Sequence, residues 1–201
     1  EAINVLEKSD FSDLKLKNQY QKICFYRGVQ LYNDGMYQQA IKYFNKGISV
    51  NNTSQLLYES YYWKAEAEFK LNNFNQALIS YNKLDKKSPL YLQSLYAQGY
   101  CYFKLNDYGS SVDMFKYASD NTTDLNLLHD IYTRIGDNYF LLKKYDLSAQ
   151  FFEKALNIGG FQEDYCAYKK STSYVLIEDY DKAIESFQDL INRFSSSNYL
   201  D

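Results

Sequence analysis

The sequence is poor in helix-breaking residues, with one proline and eight glycines in 201 residues. Proline lacks a backbone donor and glycine has the loosest backbone, so both end helices and shape turns. Their scarcity argues against an all-β sandwich and predicts a mostly helical chain with short connections. Histidine is scarcer still. The single His129 has no second histidine, glycine-rich phosphate loop or nucleophile motif beside it. No enzyme activity is expected, and His129 reads as a surface or helix-cap residue. The three cysteines, Cys24, Cys101 and Cys166, are far apart and odd in number. None has zinc-type spacing, so each reads as a small apolar residue on a helix. No metal or cofactor is expected.

Other absences narrow the function classes. No apolar run approaches the ~18 residues that cross a bilayer. No signal peptide is visible, although a chain starting at Glu1 without methionine says little about its compartment. The net charge is −3, and the lysines are scattered, with doublets such as Lys86-Lys87, Lys143-Lys144 and Lys169-Lys170. Nucleic-acid binding needs a basic face that displaces counterions from phosphate, and none is present. Carboxylate neighbours such as Glu66 with Glu68, or Glu163 with Asp164, do not face each other on a helix and read as surface charge. Asn51 and Asn121 head glycosylation-type triplets, which matter only in a glycosylating compartment.

What is abundant is aromatic and repeated. The chain has 23 tyrosines and 13 phenylalanines, and tyrosine suits half-buried surfaces. Gly28, Ala65, Gly99, Gly136 and Ser171 each precede a second small residue by twelve positions: Ala40, Ala77, Ser111, Ser148 and Ala183. An aromatic lies between them (Tyr37, Phe74, Tyr108, Tyr145, Tyr180). Another follows the second small residue by four positions (Phe44, Tyr81, Phe115, Phe152, Phe187). Successive copies are offset by 37, 34, 37 and 35 residues. Self-similarity at this period signals a solenoid of helix pairs. Small residues let the helices approach, and the middle aromatic fills the space near their connection. Asn33-Asp34-Gly35, Asn72-Asn73 and Asn106-Asp107 supply turn residues there. Ser88-Pro89 and Gly159-Gly160 read as helix stops. Ser119–Asp124 offers a turn and an N-cap for a helix beginning near Leu125.

The pattern small-x₂-aromatic followed by Tyr-x₂-Ala-x₃-Phe resembles the tetratricopeptide repeat (TPR). The resemblance implies an all-α, right-handed superhelical solenoid of antiparallel helix pairs. It places repeats at 21–57, 58–91, 92–128, 129–163 and 164–201, in one continuous domain. Residues 1–20 resemble the second helix of a truncated earlier repeat plus linker, with Ala2 and Leu6 in register. Such a half repeat would expose an apolar edge and favours continuation into a longer array. The family's aliphatic position before the first small residue is kept only by Ile135. Arg27, Lys64, Gln98 and Lys170 stand there in the other repeats, so those helices are expected to be wetter. The stretch around Ile131–Phe140, Asp164–Tyr168 and Phe187–Tyr199 is also similar to large TPR proteins of Bacteroidetes. More loosely, it is similar to BamD-type envelope proteins, with Ser195 where those carry proline. That narrower resemblance implies a segment of a bacterial cell-envelope or periplasmic protein, with the cytoplasm left open.

Carried over residue by residue, the family's concave-face positions include Phe25, Tyr32, Tyr62, Glu66, Phe69, Tyr96, Tyr100, Phe103, Asp137, Phe140 and Tyr168. Tyr62, Phe69, Tyr96, Tyr100 and Phe103 are expected to form an aromatic trough for a protein or peptide segment. The alternative for each residue is packing against the next repeat. The family's cationic clamp for a terminal carboxylate is missing, because Val29, Glu66, Tyr100, Asp137 and Thr172 hold its places. Glu66 and Asp137 suit a partner carrying lysine or arginine, or else are ordinary solvated charges. The expected function is a non-catalytic interaction or scaffold module. The alternative is an assembly segment that packs against further repeats or self-associates as a homo-oligomer.

Overall fold

The computed structural model describes residues 14–50 and 55–200. The truncated repeat expected at residues 1–7 and the triplet at Asn51 lie outside them. The described residues form helices and no strand: α1 (Leu14–Asn33), α2 (Tyr37–Ser49), α3 (Gln55–Lys70), α4 (Phe74–Tyr81), α5 (Tyr91–Lys104), α6 (Tyr108–Ser119), α7 (Leu125–Leu141), α8 (Tyr145–Ile158), α9 (Glu163–Leu176) and α10 (Tyr180–Arg193). Within each unit odd and even helices pair as expected, α1 with α2, α3 with α4, α7 with α8 and α9 with α10. α1 begins ahead of the boundary expected at 21, because nothing from Leu14 to Tyr20 breaks a helix. The chain divides into two compact units, Glu1–Cys101 and Tyr102–Asp201.

All five elbows share one backbone turn. A single residue takes positive φ: Gly35 (73°), Asn72 (60°), Asn106 (60°), Lys143 (58°) and Glu178 (63°). The next amide then donates back to the last turn of the helix. The pairs are Met36 N to Leu31 O (2.8 Å), Asn73 to Glu68 (2.9 Å), Asp107 to Tyr102 (2.9 Å), Lys144 to Tyr139 (2.9 Å) and Asp179 to Tyr174 (3.0 Å). This Schellman closure satisfies the helix's orphan carbonyls and reverses the chain within a few residues.

The small residues do what their spacing predicts. A Cβ on Gly28 would lie 2.5 Å from Phe44 Cε1, and one on Gly136 would lie 3.0 Å from Phe152. Phe44 and Phe152 are fully buried, the former with Phe25, Leu31 and Ala40, the latter with Ala155, Leu156, Cys166, Ala167 and Leu190. All three cysteines are buried thiols. Burial pushes the Cys101 thiol up to about 12 and the Cys166 thiol up to about 11.

Some expectations are revised. α4 stops at Tyr81, well before Ser88-Pro89. Turns from Asn82 to Ser88 carry the chain on, with Lys83 N to Ser80 O, Leu84 N to Tyr81 O and Ser88 N to Asp85 O. Pro89 therefore precedes α5 rather than ending α4. The cap for α7 is as expected, since Asp124 Oδ1 accepts from Asn126 N (2.9 Å) and Leu127 N (3.3 Å). The polar residues at the aliphatic position are wet only at Arg27. Gln98 is buried, Lys64 sits 3.6 Å from Glu68, and Lys170 sits 2.7 Å from Glu153. His129 is neither a surface nor a cap residue. It is 3% exposed, and its ring nitrogens face the carbonyls of Ala155 (2.9 Å) and Phe161 (2.8 Å). It pins the α8–α9 loop, where a Cβ on Gly160 would strike its ring at 2.7 Å.

Candidate protein-binding surface

The candidate residues lie on first helices, but the structure does not treat them alike. Four meet the elbow aromatic of their own repeat, with ring centroids 5.2–5.7 Å apart: Tyr32 with Tyr37, Phe69 with Phe74, Phe103 with Tyr108 and Phe140 with Tyr145. Three of the pairs are edge-on and Phe103–Tyr108 is tilted; such pairs are favourable and brace the two helices at the turn. The fifth repeat has Val175 at that position, and its elbow residue Tyr180 is exposed. Phe25 is 6% exposed and packs against Phe44. The helix orientation turns it into the core and away from any groove.

The first unit gathers phenols around Glu66. Tyr81 donates to Glu66 Oε1 at 2.5 Å, and Tyr62 is hydrogen-bonded to the same carboxylate. Tyr62 packs edge-on against Tyr81 (5.8 Å) and Trp63 (5.8 Å), and Trp63 against Tyr32 (5.2 Å). Burial first, and then the Glu66 charge, raise the phenols of Tyr62 and Tyr81 and push Tyr32 up to about 12. Among the described residues no cation pairs with Glu66. Tyr96 and Tyr100 form a separate half-buried pair, rings 5.1 Å apart and hydroxyls 3.2 Å apart. Phe103 belongs to the second unit.

In the second unit Asp137 holds the register of Glu66. Tyr165 donates to its Oδ1 at 2.5 Å and Arg134 Nη1 to its Oδ2 at 3.3 Å. Lys169 is drawn to the same charge, with its Nζ 3.3 Å from the Phe140 ring centroid. Burial raises the Asp137 carboxyl despite those partners, and burial lowers the Lys169 ammonium. Tyr168 stacks flat on Tyr199 (5.0 Å, 16°), and Ser197 Oγ donates to Asp164 at 2.8 Å. The C-terminal segment thus covers one candidate position. The tyrosine donors Tyr81 and Tyr165, and the Tyr199 stack, were not foreseen as parts of this surface.

No group of three or more His, Cys, Asp or Glu side chains among the described residues could hold a metal. No described helix is long and apolar enough to cross a membrane.

Comparison with known proteins decides the family. Sequence profiles described as tetratricopeptide repeat match residues 59–90, 129–158 and 165–197, the positions of the second, fourth and fifth helix pairs. The chain is a tetratricopeptide-repeat protein. A TPR repeat-containing protein of Methanocaldococcus jannaschii is 20% identical over 161 residues, which cover 80% of this chain. This chain spans 27% of that relative's length. MamA from Desulfovibrio magneticus RS-1, residues 41 to the end, superposes with a TM-score of 0.71 at 16% identity. The match covers 89% of this chain and 97% of that one. A second MamA crystal structure gives 0.72 at 18% identity, over 87% and 92%. These likenesses share the TPR fold. At the coarse level such a chain is a protein-interaction scaffold.

Proposed function

We propose that the first-helix face of the first unit receives a segment of another protein that carries apolar side chains and a lysine or arginine. One observation carries this reading: Glu66 sits against the fully buried Tyr81 and the half-buried Tyr62, with phenol donors and no cation of its own among the described residues. A partner's cation can pair with that carboxylate and lie against tyrosine faces at once. Tyr96 and Tyr100 supply apolar area with little rotamer freedom to lose. The missing carboxylate clamp supports a side-chain-directed mode rather than capture of a chain terminus.

Trp63 gives the site its own reporter, because the chain's single tryptophan touches both Tyr32 and Tyr62. Titration with peptides bearing one lysine or arginine among apolar residues should change its fluorescence saturably. The same peptides with glutamate in place of the cation should bind at least about tenfold more weakly, roughly 1.4 kcal/mol. The Tyr96→Ala/Tyr100→Ala pair should weaken the basic peptides while circular dichroism stays unchanged. Equal binding of acidic and basic peptides, or no effect of the double substitution, would overturn the reading.

A further inference from the structure

In the second unit α6, α7 and α8 meet around one planar side chain. The Phe151 ring of α8 lies 5.5 Å from the Tyr139 ring of α7, centroid to centroid. Lys116 of α6 and Lys154 of α8 place their ammonium groups 5.8 Å and 4.5 Å from the Phe151 centroid. An aromatic ring thus sits between two cations, an arrangement that its negative faces favour.

The meeting of α8, α9 and α10 repeats this one step later, offset by 37 residues from α6 and by 35 from α7 and α8. Tyr174 keeps the place of Tyr139, but Ser186 stands where Phe151 does. No ring fills the space. A cavity of about 390 Å³ lies there, lined by these two residues and by Glu153, Lys170, Lys182, Glu185 and Asp189. Ser186 is 5% exposed, and its hydroxyl oxygen has no hydrogen-bond partner among the described residues. A buried hydroxyl left unpaired costs free energy that a ligand's polar group can recover. The α10 part of the lining looks back to α8 and α9, as Phe151 and Lys154 look back to Tyr132 of α7.

The flanking charges are reversed as well. Glu153 stands where Lys116 does, and Asp189 where Lys154 does. Each lining lysine is already answered, Lys170 by Glu153 at 2.7 Å and Lys182 by Asp179 at 2.7 Å. The acids are not. Glu185, in the place of Gln150, is exposed and has no ion pair among the described residues. Arg193 reaches Asp189 through Oδ2 at 3.2 Å, which leaves Oδ1 for a second donor. The cavity therefore lacks a planar group and positive charge at once. The described acids form no metal-type group, so an organic cation is the better match.

We propose that this cavity binds the guanidinium of an arginine, in the place that Phe151 holds one step earlier. A guanidinium is planar like the missing ring and carries the charge that the acids lack. It lies against Tyr174 and donates to the carboxylates of Glu185 and Asp189, with Ser186 Oγ as an acceptor at the floor. The site belongs to the second unit and takes nothing from Glu66, so this reading and the proposed function can fail separately.

Nuclear magnetic resonance on the whole chain, with a capped Ala-Arg-Ala peptide as the probe, tests this. The amide signals of Glu185, Ser186 and Asp189 should shift saturably. The same peptide with citrulline (planar but neutral) or with lysine (cationic but not planar) should bind at least about tenfold more weakly. Free arginine, titrated in parallel, separates the two sources of the group. Binding no tighter than the capped peptide's points to a side chain of a protein partner, and tighter binding points to the amino acid itself. Ser186→Phe should refill the cavity as Phe151 does and abolish the shifts. Glu185→Gln, at an exposed position, should weaken the peptide about tenfold with an unchanged melting curve, so the test does not depend on the refilled variant. Trp63 fluorescence, which reads the first unit, should not follow either substitution. The absence of saturable shifts, equal binding of the citrulline or lysine peptide, or a titration that either folded variant leaves unchanged would overturn the proposal.

Discussion

Ala65-Glu66 in α3 and Gly136-Asp137 in α7 occupy the same two steps of the repeat in different units, and their surroundings diverge. Around Glu66 the donors are phenols, and no cation among the described residues stands against its carboxylate. Around Asp137 a phenol is joined by the Arg134 guanidinium and the Lys169 ammonium, and the charge is answered from within. Identical register therefore fixes where a carboxylate stands but not what it is free to do. That is why the first unit, and not the second, carries the proposed function.

The largest expected effect probes the scaffold common to both. Gly28→Ala drives a Cβ into the fully buried Phe44 ring, which has nowhere to move, and should cost about 3 kcal/mol at the upper end for overpacking. Gly136→Ala meets Phe152 less tightly and should cost roughly 1 kcal/mol. Denaturant midpoints give both values, and a reversed order would break the parallel between the two helix pairs.

The next experiment separates the two carboxylates directly. Glu66→Gln should weaken basic peptides about tenfold, roughly 1.4 kcal/mol. Asp137→Asn should leave the same Trp63 titration almost unchanged. Equal losses from the two would show that charge at this register acts regardless of its neighbours. A smaller effect is expected at Lys169, whose ammonium lies over Phe140. Lys169→Gln should lower stability by about 0.5–1 kcal/mol, as a cation–π contact of this kind contributes. Thermal unfolding of the whole chain would show it.

The subtlest contrast is in pH. A phenol raised in the folded state favours folding fully below its ordinary range near 10. That contribution is lost as pH rises through the folded value, which for Tyr32 is about 12. Burial is the first cause of the raised phenols and the Glu66 charge the second. Glu66→Gln should therefore advance tyrosinate formation without abolishing its lag, and flatten the alkaline loss of stability. Superimposable tyrosinate absorbance curves for parent and variant would remove Glu66 from the account.

The helix pairing was legible because it depends on spacing, and spacing is written in the chain. Asn72 and Asn106 could be read as left-handed turn residues from their side chains. Lys143 and Glu178 could not, since neither favours positive φ, and only the repeat register places them. The site was half legible. Glu66 and Asp137 stand out as acids on a first helix, but their donors Tyr81 and Tyr165 arrive from other helices, 15 and 28 residues away. Tyr32, Phe69, Phe103 and Phe140 are groove positions by the family resemblance, and the elbow rings that engage them become neighbours only once the turn has closed. His129 had no pattern at all, because the two carbonyls it meets come together only through the α8–α9 loop.

The shared elbow has one more consequence. Met36, Asn73, Asp107, Lys144 and Asp179 are five chemically equivalent amides, each closing the same backbone ring at 2.8–3.0 Å. Their hydrogen-exchange rates, read along one chain, amount to a ruler: each reports the opening free energy of its own repeat. Because neighbouring repeats share their stability, a graded or stepped series of rates would reveal how far cooperativity reaches along the array.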